Sequence, residues 1–282
     1  MTTPRVDPND ILNVARLEEH RLASAVTALA DHAEPFPARD SAGVLARGAP
    51  GTWINACFGA GLDGPIDGQA LARLVEFHAG AGIEPRIELA PFMAPETLAA
   101  LAEAHFVVRG FDNILVRALD TLGAHDGRDL PDGVTIEIVD RSDAAEVDRF
   151  VRMALSGFAA ASTDIAEPSL DSMRRAMQIP GTSAIVARCD GQLVGAAAME
   201  VYGEVACLFG ASVAPEARGR GIQRAMLERR LRIAADTGAS IATIGSRPGE
   251  TTERNARRLG FTLAYMRTTF VRPGPGLMSM VE

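Results

Sequence analysis

The sequence predicts an α/β fold on a mixed sheet, laid out as two similar halves in tandem. Three observations carry that expectation. From residue 134 onward, short apolar runs and amphipathic stretches alternate in the order β-α-α-β-β-β-α-β-α-β. Asp190-Gly191 separates two of the apolar runs by the residue pair that a tight hairpin favours. A shift of 155 residues lays FVVRGFDNILVR (106–117) over FTLAYMRTTFVR (261–272), with Phe58 on Val213 and Gly64 on Gly219. The expected organisation is a first domain at 1–119, a polar, glycine-rich linker at 120–133 and a second domain at 134–282.

Taken in order, Asp10 caps a helix over 11–30, whose apolar positions include Leu12, Ala15, Leu22, Val26 and Leu29, and Pro35 and Pro37 end it. Strands follow at 42–46 and 52–58, the second carrying the only tryptophan, Trp53. A helix over 66–79, a strand over 86–90, a Pro-started helix over 95–103 and strand material over 106–119 complete the first half. Past the linker come a strand at 134–139, a helix that Ser142 precedes and that runs to 158, and a short helix at 169–177 stopped before Pro180. Strands at 183–189 and 192–201 form the hairpin, and Tyr202-Gly203-Glu204 turns into a third strand at 205–213. After a loop, a helix starts near Gly221 or Ile222, followed by a strand at 240–245, a helix at 249–259 and a last strand at 261–271.

The loop before that long helix is the chemical centre of the sequence. Pro215 breaks the strand, and Arg218-Gly219-Arg220-Gly221 makes a flexible cationic turn into the helix. The first amides of a helix lack intrahelical acceptors and lie at the positive end of its dipole, so they bind phosphate oxygens. Arg218, Arg220 and Arg224 add positive charge, and because the chain has no lysine, every strong cation here is a guanidinium suited to bidentate oxyanion contacts. This turn is neither a GxxxxGK[ST] nor a GxGxxG pattern. The stretch resembles the acetyl-CoA motif of the Gcn5-related N-acetyltransferases (GNAT), [Q/R]-x-x-G-x-[G/A], with Arg218 and Gly221 in register. Gln223 departs from it, standing where the family has Gly or Ala.

The resemblance implies two GNAT-like domains and an acetyl-CoA-dependent N-acetyltransferase, acting by direct attack of an amine on the thioester. It further implies that Ala211, Ser212 and Val213 contact the pantetheine arm. The amides of Gly219, Arg220, Gly221, Ile222, Gln223 and Arg224 would hold the pyrophosphate, with Asn255 on the next helix as a further contact or as a surface residue. The family's usual tyrosine position is Ala256, so the proton donor is sought at Tyr265, which is alternatively a structural tyrosine, or at Ser246 through water. Glu200 or Glu204 is a candidate base, and an amine arriving neutral needs none. Under the 155-residue shift, Asp63 stands in place of Arg218 and Pro65 in place of Arg220, so 1–119 is expected to bind no CoA in this manner. That half would support the fold or wall the acceptor pocket, together with loops around 159–167.

Composition narrows the field. A net charge of −8 argues against general nucleic-acid binding and makes the arginine cluster a local feature. Cys57, Cys189 and Cys207 are far apart and read as buried small hydrophobes in a reducing compartment. All five histidines precede residue 126, away from the arginine loop, and no metal site is expected. With no apolar run of membrane-spanning length and no signal core in MTTPRVDPND, the expectation is a cytoplasmic protein without membrane partners. The helix after the loop carries two apolar sides, Ile222/Met226/Ile233 and Leu227/Leu231/Ala234. One faces the sheet, and the other packs on the first half, on a second chain of a homodimer, or in the core of a large fold. The acceptor is a small molecule or peptide amine. A non-catalytic acyl-CoA-binding or regulatory module and a nucleotide-phosphate binder stay open as other classes.

Overall fold

In a computed structural model of the chain, the residues described are 5–38, 41–120, 130–157 and 165–280. Most of the expected linker at 120–133 and of the expected acceptor loop at 159–167 lies outside them. The chain divides into two compact units that are not consecutive in sequence. One comprises 9–114, 246–248 and 263–280, and the other 5–8, Leu115–Gly245 and Gly249–Thr262.

The unit that contains most of the first half starts with α1 (Ile11–Leu29), whose N-cap Asp10 accepts from the Asn13 amide. Strands β1 (His32–Phe36), β2 (Gly43–Arg47) and β3 (Ala56–Phe58) pair antiparallel in turn. Then come α2 (Gly68–Ala79), β4 (Arg86–Leu89), parallel to β3 through Cys57 and Ile87, and α3 (Pro95–Glu103). β5 (Val107–Ala118) gives residues 107–114 to this unit, and β11 (Thr262–Val271) completes it by pairing antiparallel with β4. The strand order is β1-β2-β3-β4-β11-β5. Phe36, Leu45, Leu71, Leu74, Ile87 and Leu89 are fully buried in its core, each contributing about 1.5–3 kcal/mol.

The other unit holds β6 (Val134–Ile138), α4 (Ala144–Ser156), α5 (Glu167–Ala176), β7 (Thr182–Cys189), β8 (Gln192–Tyr202) and β9 (Val205–Val213). After one 3-10 turn, Pro215–Ala217, come α6 (Ile222–Asp236), β10 (Ile241–Ser246) and α7 (Thr251–Arg258). With 115–118 of β5, the order is β5-β10-β9-β8-β7-β6. Asp190 and Gly191 both have positive φ, 49° and 80°, as a two-residue hairpin of the primed type requires. Both apolar sides of α6 are consumed inside this unit: Leu227, Leu231 and Ala234 pack with Ala206, Leu208 and Ile244, while Ile222 and Met226 pack with Val134, Ile185 and Ala197. Core packing accounts for the two-sided pattern.

Two sequence expectations need correction. The strand at 52–58 shortens to Ala56–Phe58, because Thr52 and Asn55 are tied into turns: the Thr52 hydroxyl and Asn55 Nδ2 both donate to the Ala49 carbonyl, and Asn55 Oδ1 accepts from the Gly48 amide. A strand was missed at His32–Phe36. Pro35 reads as a breaker, but β1 is the end strand, where a residue without an N–H is tolerated. The 155-residue shift otherwise follows the elements: it carries α2 onto 223–234 within α6, β4 onto 241–244 within β10, α3 onto 250–258 over α7, and β5 onto 262–273 over β11.

Candidate active site

The candidate site is the turn from β9 into α6. β9 pairs antiparallel with β8 along its length, but the register slips: Ala198 faces Phe209 while Ala196 faces Ser212, leaving one extra residue on β9. Gly210 takes φ +59° within that bulge. Arg230 of α6, buried at 2% exposure, donates from Nη1 to the carbonyls of Ala198 at 2.8 Å and Phe209 at 3.3 Å, the pair at the slip. Burial pushes its pKa down to about 10. On the other edge, the parallel ladder with β10 runs from Ile241↔Val205 to Ile244↔Leu208 and stops there, although β9 continues to Val213. The two strands part, and main-chain groups of Phe209–Val213 on that edge face no ladder partner among the described residues.

At the open end, Gly219 and Gly221 take φ of +77° and +81°, where a side chain is strained. A Cβ at Gly219 would meet nothing within 4 Å, and at Gly221 only Pro131 Cγ at 3.9 Å, so the main chain is open to a ligand. Gly221 is the N-cap of α6, no side chain caps the helix, and its first turn has no acid. The amides of Ile222, Gln223 and Arg224 keep their positive end for an anion. The equivalent helix of the first half differs: the Asp67 carboxylate caps α2, accepting from the Ala70 amide at 2.8 Å. Its own side chain supplies the anion there.

The three loop arginines are held differently. Arg218 is exposed and donates through Nε to the Val213 carbonyl at 3.1 Å. Arg220 lies back on Cys189 Sγ and the Asp132 carbonyl, and Arg224 is paired with Glu228 at 2.8 Å. Gln223 is turned aside, its Oε1 accepting from Asn255 Nδ2 at 2.8 Å on α7. Ala211, Ser212 and Val213 form the last stretch of β9, with Ser212 and Val213 opposite Ala196 and Gly195. The buried Ser212 hydroxyl shares a 3.2 Å hydrogen bond with Ser156. The predicted coenzyme residues are thus gathered at one strand end and one helix mouth.

Of the candidate acid and base residues, Glu204 is not gathered there. Glu204 precedes β9 at its far end, where its carbonyl accepts from the amides of Ser240 and Ile241. Nine strand residues at about 3.3 Å each separate it from the turn, roughly 30 Å. Ser246 and Tyr265 group with the other unit. Ser246 donates to the Arg247 carbonyl, and the buried Tyr265 hydroxyl donates to Glu19 Oε1 at 2.6 Å, an oxygen that also accepts from Arg267 Nε. Burial and the Glu19 charge hold the Tyr265 phenol well above its ordinary pKa. Sequence reasoning missed Arg230. The signal was an arginine four residues after Met226 and three before Ile233, on an otherwise apolar helix side.

Residues 156–261 match the model of the Acetyltransferase (GNAT) family. The parted strands, the glycine turn and the uncapped helix all fall within that span. That segment is similar to the GNAT family. The chain's fold likeness extends beyond the matched segment. A GCN5-related N-acetyltransferase from Kribbella flavida superposes with a TM-score of 0.67 at 19% identity, over 92% of this chain and 97% of that one. A functionally unknown conserved protein from Staphylococcus epidermidis ATCC 12228 does so at 0.58 and 13% identity, over 85% and 94%. A tandem GNAT protein from the clavulanic acid biosynthesis pathway gives 0.51 at 15% identity, over 67% and 64%. No curated protein matches the sequence. Among the described residues, the chain has no helix long and apolar enough to cross a membrane and no group of His, Cys, Asp and Glu side chains able to hold a metal ion.

Proposed function

We propose that the chain is an acetyl-CoA-dependent N-acetyltransferase with one active copy of a duplicated fold, 134–282, and a degenerate copy, 1–119. One observation carries the reading: α6 opens on Gly221 with no side-chain cap beside a strand pair that parts, whereas α2 is closed by Asp67. The amides from Gly219 to Arg224, with the Arg218 guanidinium, bind the diphosphate. Main-chain groups of Ala211, Ser212 and Val213 bind the arm and polarise the thioester carbonyl. Acetyl-CoA supplies the activated acyl group. Gln223, held by Asn255, leaves the mouth clear, which answers the crowding its length would otherwise cause. The acceptor is an amine of a small molecule or peptide that attacks directly. Its proton is not assigned to Glu204, Ser246 or Tyr265: the hydrogen bonds of the last two and the position of the first support structural roles.

That none of these three is assigned the proton favours a second reading, an acyl-CoA-binding module without turnover. Thiol release from acetyl-CoA over a panel of amines distinguishes them: tight binding with no release on any amine supports the second. The site itself is tested by calorimetry. Gly221→Asp places an anion at the helix mouth and should abolish CoA binding with the thermal melt largely kept, while Gly64→Asp should leave binding unchanged. CoA affinity unaltered in Gly221→Asp would reject the assignment.

A further inference from the structure

In coenzyme A the diphosphate is followed by a ribose that carries a phosphate on its 3′ oxygen, a monoester with about two negative charges near pH 7. That group lies one sugar beyond the mouth of α6, and the neighbouring element there is α7. Gln223, in the first turn of α6, accepts from Asn255 Nδ2 at 2.8 Å, and Asn255 Oδ1 accepts in turn from Arg258 Nη1 at 3.4 Å. A chain of side-chain hydrogen bonds thus leads from the helix mouth to a guanidinium. Arg258 is exposed, and among the described residues no carboxylate pairs with it. Arg254, one turn earlier on α7, is alike: it is exposed, and its donors go to the Gly249 carbonyl and the Thr251 hydroxyl, not to an acid. The neighbouring arginines are neutralised, Arg257 by Glu253 and Arg224 by Glu228. Like charges four residues apart on a helix repel. The dipole of α7 favours a cation at Arg258, its last residue, but not at Arg254 near its start. A dianion between the two guanidiniums relieves that repulsion.

We infer that Arg258, with Arg254 beside it, binds the 3′-phosphate of the coenzyme and makes the site selective for CoA over 3′-dephospho-CoA. The inference rests on the coenzyme reading above and adds a selectivity that the helix mouth does not give, since both molecules present the same diphosphate to the amides of α6. The planar fork of a guanidinium matches two oxygens of a phosphate.

The experiment titrates the full chain by calorimetry with CoA and with 3′-dephospho-CoA at low salt, where exposed charges are least screened. The wild-type chain should bind CoA about tenfold more tightly, as hydrogen bonds between charged groups allow. Arg258→Gln should reduce that ratio to about twofold while leaving the affinity for 3′-dephospho-CoA as it was, and Arg254→Gln should reduce it less. Phosphorus-31 spectra of bound CoA give a second readout: the 3′-phosphate should lose its last proton at lower pH than in free CoA, because adjacent cations favour the dianion. Equal affinity of the wild-type chain for the two coenzymes would overturn the inference and leave the coenzyme site standing. Binding of neither would overturn the coenzyme reading and this inference with it. A full ratio kept in Arg258→Gln would place the phosphate elsewhere and reject the assignment. If that variant does not fold, the phosphorus signal on the wild-type chain decides, and an unshifted 3′-phosphate counts against the inference.

Discussion

Arg230 is a charge placed where helix periodicity calls for an apolar side chain, and its guanidinium serves the main chain. By donating to the Ala198 and Phe209 carbonyls, it ties α6 to the strand pair beside the register slip. Arg230→Met keeps the volume and removes the donors. Two opposing terms follow: carbonyls left unbonded cost about 1–3 kcal/mol, and a desolvated cation is removed. The melt should therefore move by only a few degrees, while the relaxed bulge should weaken acetyl-CoA binding about tenfold by calorimetry. An unchanged affinity would show that the strands part without it. Tyr265 illustrates the opposite limit of legibility. Its role is set by Glu19, which lies 246 residues earlier, and no local pattern around Tyr265 announces that partner.

At the scale of elements, the strand, turn and helix that make the candidate site were readable because each follows from local chemistry. An apolar run gives β9, Pro215 stops it, two glycines supply left-handed backbone, and the apolar spacing restarts as α6. The fate of Gln223 was not readable, because it depends on α7 presenting Asn255 to the same face. Asn255→Ala releases that carboxamide and should lower CoA affinity about three- to tenfold. Adding Gln223→Gly should restore it, a non-additive pair in a double-mutant cycle. If the two changes add independently, the side-chain bond does not keep the mouth open. β1 went unread for an equally physical reason: proline is excluded from central strands but accepted at an end, and end position is a property of the sheet.

At the scale of the molecule, the expected cut between halves runs through both compact units. Leu115 and Leu119 precede the linker, yet are buried with Leu227, Leu231 and Phe261; Phe270, near the end of the chain, is buried with Leu71 and Ile87. A fragment of 134–282 lacks Leu115 and Leu119, and loss of each buried leucine costs about 2–5 kcal/mol. It should be unfolded or melt far below a fragment beginning at residue 115, as followed by circular dichroism, and equal melts would reject this account. By itself, the sequence determined the order of elements, apart from β1, and the glycine-arginine turn, since propensity, periodicity and backbone freedom act over a few residues. Only the tertiary structure decided which strand completes which unit, where Tyr265 and Gln223 find partners, and which helix mouth is open. Those outcomes rest on contacts between residues remote in sequence, which local propensity does not encode.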